Sequence, residues 1–129
     1  MNIKTLSSTQ KGVVAVNRAS EIIILSSNGK LTCYTPIADD DGIDLIINSK
    51  GSYKPIFLQV KSCFKLQKSG AFVQDVGVKT FRANKSFFIL FIYFNIKTLE
   101  IDTLWLIPSF KFKHILKGEK IRYEEKINL

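Results

Sequence analysis

Residues 39–62 read DDDGIDLIINSKGSYKPIFLQVKS, and their pattern predicts a chain that folds back on itself. Residues 43–48 alternate apolar and polar weakly and residues 55–62 more clearly, the period of two that strands show. Between them, residues 48–54 are rich in turn formers, with Gly51 and Ser52 at the centre. A hairpin closed about that centre sets Asp44 across from Gln59 and Ile46 across from Phe57. Successive strand side chains take opposite faces, so Gln59 and Lys61 project together while Val60 points the other way. Asp44, Gln59 and Lys61 then share one face near one end of the hairpin. A carboxylate, a neutral oxygen and an ammonium gathered there suit a hard metal ion, with a cation beside it for a phosphate.

These residues resemble the signature of the PD-(D/E)xK nuclease superfamily, an Asp opening one strand and an acidic-x-Lys tripeptide on the next. Gly42-Ile43-Asp44 matches the first part and Gln59-Val60-Lys61 the second, with Gln where Glu or Asp is commoner. The match is closest to the Gln-x-Lys members, which include group I intron homing endonucleases and neighbours of Holliday junction resolvases. It extends over roughly residues 10–108, and only the hairpin is specific. The resemblance implies a restriction-endonuclease-like α/β core: an N-terminal helix packed on a mixed sheet of about five strands, with the hairpin at its centre. It also implies an acidic residue on that helix, following Lys-Gly. Lys11-Gly12 is present, but Val13 stands where the glutamate often sits. Glu21 is the helix's only acid; it either contributes to metal binding or pairs with Arg18 at i,i+3, and Asn17 is a neutral alternative for the metal role.

Composition sets the outer limits. With 129 residues, 46% of them hydrophobic, the chain suits one folded domain, residues 1–129, rather than a disordered tail. Its longest apolar run, Phe87–Phe94, is far short of the roughly 20 residues of a membrane span and reads as a buried central strand. Residues 1–8 lack the long apolar region of a signal peptide. Cys33 and Cys63 fall in or beside strands without CxxC spacing and read as reduced, buried thiols, so the cytoplasm is the expected compartment. The net charge of +8 is concentrated: residues 50–85 hold eight basic side chains against Asp75 alone. Such a cluster beside the hairpin's second arm is the footprint of a polyanion backbone. It nominates Lys65, Lys68, Lys79, Arg82 and Lys85 as nucleic-acid contacts.

Elsewhere the pattern is plainer. Ser8 or Thr9 can cap a helix running to about residue 26 or 27, stopped by Asn28-Gly29. Apolar residues occupy much of its surface, which predicts packing on a sheet, although Ile22 to Leu25 read equally as strand. Residues 30–35 are a first strand ended by Pro36, and Asp39, Asp40 and Asp41 form an acidic loop in which Asp41 is a candidate accessory to Asp44. Residues 63–86 show no clean period, and Phe64, Phe72 and Phe81 suit either a stacking surface or the core. Residues 103–108 read as the next strand, and residues 109–116 as a short helix holding His114, the single histidine. No Ser/His/Asp or Cys/His set, zinc spacing or phosphate-binding glycine loop occurs in the sequence.

The implied activity is metal-dependent endonucleolytic hydrolysis of DNA, with RNA open as a substrate and a 5′-phosphate as product. Asp44, Gln59 and the Val60 carbonyl would hold Mg²⁺, with Mn²⁺ as a substitute. Lys61 would position water or stabilise charge on the phosphate, with Glu21 as the further catalytic candidate. A nuclease of this size that cuts both strands is expected to act as a homodimer, and the sequence gives no membrane partner. The alternative is a catalytically inactive nucleic-acid-binding or accessory subunit with the same fold, which Val13 and Gln59 favour.

Overall fold

A computed structural model describes residues 5–38, 41–76, 81–112 and 121–126. The hairpin forms from β2 (Leu45–Ser49) and β3 (Ile56–Cys63), with Ile46 opposite Phe57 as the alternation predicts. Its turn closes through a Ser52 N–H to Ser49 carbonyl bond of 2.9 Å, and Gly51 takes a φ of +82° that only glycine adopts cheaply. β1 (Leu31–Tyr34) lies antiparallel on β2's free edge. On the other side β3 pairs in parallel with β5 (Phe87–Phe94), which pairs antiparallel with β6 (Ile101–Pro108). The order β1-β2-β3-β5-β6 makes a mixed five-stranded sheet, the α/β nuclease-like architecture expected. Phe87–Phe94 is interior as its apolar run predicts, but the central place belongs to β3.

The helix α1 (Ser8–Ser26) covers one face of the sheet. Its cap is Ser7, one residue earlier than the sequence suggests. The Ser7 hydroxyl accepts from the Gln10 N–H at 3.0 Å and the Gln10 side chain accepts from the Ser7 N–H at 2.9 Å, a reciprocal capping box. Ser7→Ala should lower stability by about 1 kcal/mol, read as a shift in urea midpoint at unchanged slope. Ser7 is exposed, so no cavity term confuses the result. At the other end Asn28 and Gly29 both take positive φ, 53° and 76°, and stop the helix as predicted. The helix packs on the sheet as its apolar surface predicts, but through one stripe alone. Ala15 and Ala19 are buried with Val16 and Ile23 beside them, whereas Val13, Val14, Ile24 and Leu25 are exposed. Two alanines in the contact stripe let the helix sit close to the sheet, and a single stripe is all one sheet face can cover.

The opposite face carries a layer the sequence did not disclose. β4 (Ala71–Val76) and β7 (Ile121–Lys126) pair antiparallel as a separate two-stranded sheet. Phe72, Val76 and Tyr123 from this layer bury against Ile89 and Phe91, with Trp105, Ile107 and Phe81 around them. Phe72 and Phe81 are therefore core residues, not a stacking surface. The Tyr123 phenol donates to a Glu125 carboxylate oxygen at 2.8 Å. Burial first, and that bond second, hold it well above the ordinary phenol range.

The connection from β3 to its parallel neighbour β5 thus runs through a strand rather than a helix. Its last part is tied down by Ser109, fully buried, whose hydroxyl donates to the Asn84 carbonyl at 2.8 Å and accepts from the Asn84 N–H at 2.9 Å. Ser109 opens a 3₁₀ turn, Ser109–Phe112, where a short helix was expected. The rest of that segment, with His114, lies outside the described residues, as do Asp39, Asp40 and Lys79. Cys33 and Cys63 are free thiols, each raised above its usual pKa chiefly by burial. Among the described residues, no helix is long and apolar enough to cross a membrane.

Candidate active site

β2 stops pairing with β3 at Leu45 and Leu58, and Asp44 stands just before that point. Its N–H donates to the Leu58 carbonyl at 2.9 Å, and its carboxylate Oδ2 accepts from the Val60 N–H at 2.7 Å. The aspartate is thus fixed at both ends to the backbone of β3. This follows from the sequence: β2 is short, so the backbone groups of β3 beyond Leu58 need another acceptor, and a carboxylate one residue past the ladder reaches them. In an extended strand the N–H and C=O of one residue leave on the same edge. The Val60 carbonyl therefore points to the edge where Asp44 stands.

The two clefts around this point come from different parts of the chain. One, of about 510 Å³, is lined by Val60 of β3, by Asp44 and Thr35 just beyond the ends of β2 and β1, and by Thr9, Gly12, Val13, Val16 and Asn17 from α1. The other, of about 840 Å³, holds Lys61 and Lys65 together with Lys11, Gly12 and Val60. Gly12 and Val60 line both, so the clefts adjoin. A Cβ built on Gly12 meets nothing within 4 Å, so this wall of the junction is open space. A carboxylate and an ammonium are in this way presented from neighbouring concavities.

Lys61 is half-buried in β3 opposite Phe91, and Gln59, two residues before it, is half-buried opposite Ile89. Gln59 shares neither cleft lining with Asp44, and Val60 between them packs with the helix-side core. Asn17 lines the Asp44 cleft; Glu21, one turn further along α1, is exposed and outside it. Arg18 reaches the Leu99 carbonyl at 3.5 Å, a weak contact. Asp41 lies in a separate cleft of about 270 Å³ with Arg82, Asn84 and Phe57. Lys65 joins Lys61, while Lys68 and Lys85 are exposed on turns before β4 and β5. Lys11, which the sequence reading noted only as part of Lys-Gly, proves to share the cleft of Lys61. Its helical position gives no sign of this, because the approach of the first turns of α1 to the end of β3 is a tertiary fact.

Among the described residues, no three His, Cys, Asp or Glu side chains gather as a metal cluster. The Asp44 cleft instead offers one carboxylate, the carbonyl of Val60 on its edge and the side-chain amide of Asn17, all hard oxygens. Mg²⁺ is commonly bound through one or two carboxylates, with waters and substrate phosphates completing its shell, and the set fits that habit.

The fold is similar to that of a solved bacterial homing endonuclease. The two align with a TM-score of 0.60 and 23% identity, over 95% of this chain and 78% of that one. At such identity the likeness is one of fold. No protein-family model matches the sequence, and no curated protein does.

Proposed function

We propose that this protein is a metal-dependent DNA endonuclease whose active site centres on Asp44, Val60 and Lys61. The observation that carries the reading is the Asp44 carboxylate held on the Val60 N–H at the junction of an acidic and a lysine-lined cleft. A homing-endonuclease fold around that junction supports it. Asp44, the Val60 carbonyl and the Asn17 amide of the same cleft would hold Mg²⁺ or Mn²⁺, and the Gln59 amide, which lines neither cleft, would join them only by a change of rotamer. Bound there, the ion would supply Lewis-acid polarisation of the scissile phosphate. With one carboxylate in the set, affinity for the ion should be lower than in an all-acid site. Lys61 stabilises the negative charge that grows on the phosphate oxygens as water attacks phosphorus. The P–O3′ bond breaks, leaving a 3′-hydroxyl and a 5′-phosphate. Lys65, Lys68, Lys79, Arg82 and Lys85 serve the flanking backbone, a contribution that falls steeply with salt.

The test is cleavage of plasmid, branched and single-stranded DNA in Mg²⁺ or Mn²⁺, for the parent and for Lys61→Ala. Cleavage that chelator stops and Lys61→Ala slows by about 10²–10³-fold is the expected result. A second reading rests on Val13, which lines the Asp44 cleft where the resemblance calls for an acid. On that reading the protein binds nucleic acid and cuts nothing. Intact DNA binding with no cleavage in either metal selects it.

A further inference from the structure

Three lysines surround the larger cleft: Lys11 from the first turns of α1, Lys61 from β3 and Lys65 just beyond it. Among the described residues that line it there is no acid. Ammonium groups collected in one concavity hold a standing positive potential, which an anion relieves. The reaction proposed above employs Lys61 and leaves Lys11 unexplained.

The rest of the lining is of another kind. Cys63, Phe64 and Ile96 supply apolar surface. Phe64 is packed from behind, its ring stacked on Phe94 with centroids 4.7 Å apart and planes 13° from parallel. Nearby, the Gln74 amide is committed to the Ser62 carbonyl at 2.7 Å, which ties β4 to the end of β3. The cleft's volume of about 840 Å³ is well beyond what a phosphate alone requires. It falls in the roughly 300–1,000 Å³ range of sites that take organic ligands. A basic wall beside a half-buried aromatic ring is the combination that holds single-stranded nucleic acid. A base inside a duplex has both π-faces covered by its neighbours, whereas an unpaired base has one to offer.

We infer that this cleft seats an unpaired nucleotide of the substrate, its phosphate between Lys11 and Lys65 and its base against Phe64. The enzyme then acts where a duplex is opened or branched. The inference builds on the endonuclease reading, but its test needs no cleavage. Fluorescence anisotropy in chelator compares a forked duplex with a blunt duplex of equal phosphate count, for the parent, Phe64→Leu and Lys11→Gln. The parent should prefer the fork by at least about five-fold, the lower end of what one base–aromatic stack contributes. Phe64→Leu should erase that preference and leave blunt-duplex binding unchanged. Lys11→Gln should weaken fork binding and reduce its salt slope by about one. Lys11→Gln decides the matter if Phe64→Leu loses its native circular dichroism. Equal affinity of the parent for fork and blunt duplex overturns the inference. So does a preference that survives both substitutions in folded protein. Fork preference without cleavage would sink the endonuclease reading alone, and cleavage without fork preference would sink only this one.

Discussion

Asp44→Asn is expected to cut DNA at least about 100-fold more slowly than the parent in Mg²⁺, while folding normally and binding DNA in chelator as well or slightly better. Asparagine keeps a side-chain oxygen at the position that accepts from the Val60 N–H at 2.7 Å, so the anchor to β3 survives. What is lost is the negative charge, and with it the one carboxylate that the proposed donor set contains. Removing that charge also removes a repulsion toward phosphate, hence the undiminished binding. Asp44→Ala is the poorer probe. It strips the acceptor from a backbone N–H, a loss that costs about 1–3 kcal/mol where the group is shielded from water. A fall in its activity would then mix chemistry with folding. Single-turnover cleavage at saturating enzyme, with a thermal melt of each variant, separates the two. An asparagine variant that cuts as fast as the parent would remove Asp44 from the mechanism.

The second large effect concerns stability. Phe91→Ala should cost about 3–5 kcal/mol, the usual range for truncating a buried phenylalanine. In a domain of this size that lowers Tm by something on the order of 10–20 °C. Phe91 is fully buried on β5, stacked on Tyr123 with centroids 4.0 Å apart and meeting Phe72 edge-on at 6.0 Å. It is thus the point where the five-stranded sheet holds the β4–β7 layer. Leu106→Ala is the control: the residue is 52% exposed on the edge strand β6, so about 1 kcal/mol is at stake. Urea unfolding of both variants checks the difference. A loss below about 1.5 kcal/mol for Phe91→Ala would mean that the layer does not depend on this ring.

The hairpin was legible because everything that sets it is local. Alternation fixes which side chains share a face, Gly51 permits the turn, and a slip of one residue would have put Leu45, Ile47 and Leu58 into solvent. The helix ends were legible for the same reason, to within the one residue by which Ser7 displaces Ser8 as the cap. Where the chain had to choose among distant partners, sequence gave little. Residues 71–76 become a strand because β7, some fifty residues later, pairs with them over the far face of the sheet. No period within 63–86 encodes that choice.

The same division runs through the candidate site. The sequence by itself determined the register that brings Asp44 to the level of Gln59, and the alternation that sets Lys61 apart from Val60. Only the tertiary structure decided that the Asp44 carboxylate turns to the Val60 N–H, that Asn17 rather than Glu21 borders its cleft, and that Lys11 shares the cleft of Lys61. Faces and turns follow from φ, ψ and side-chain period over a few residues. Clefts follow from where a helix docks, and that is settled by burying Ala15 and Ala19 against Leu45, Ile47 and Leu58, contacts between segments that are remote in the chain.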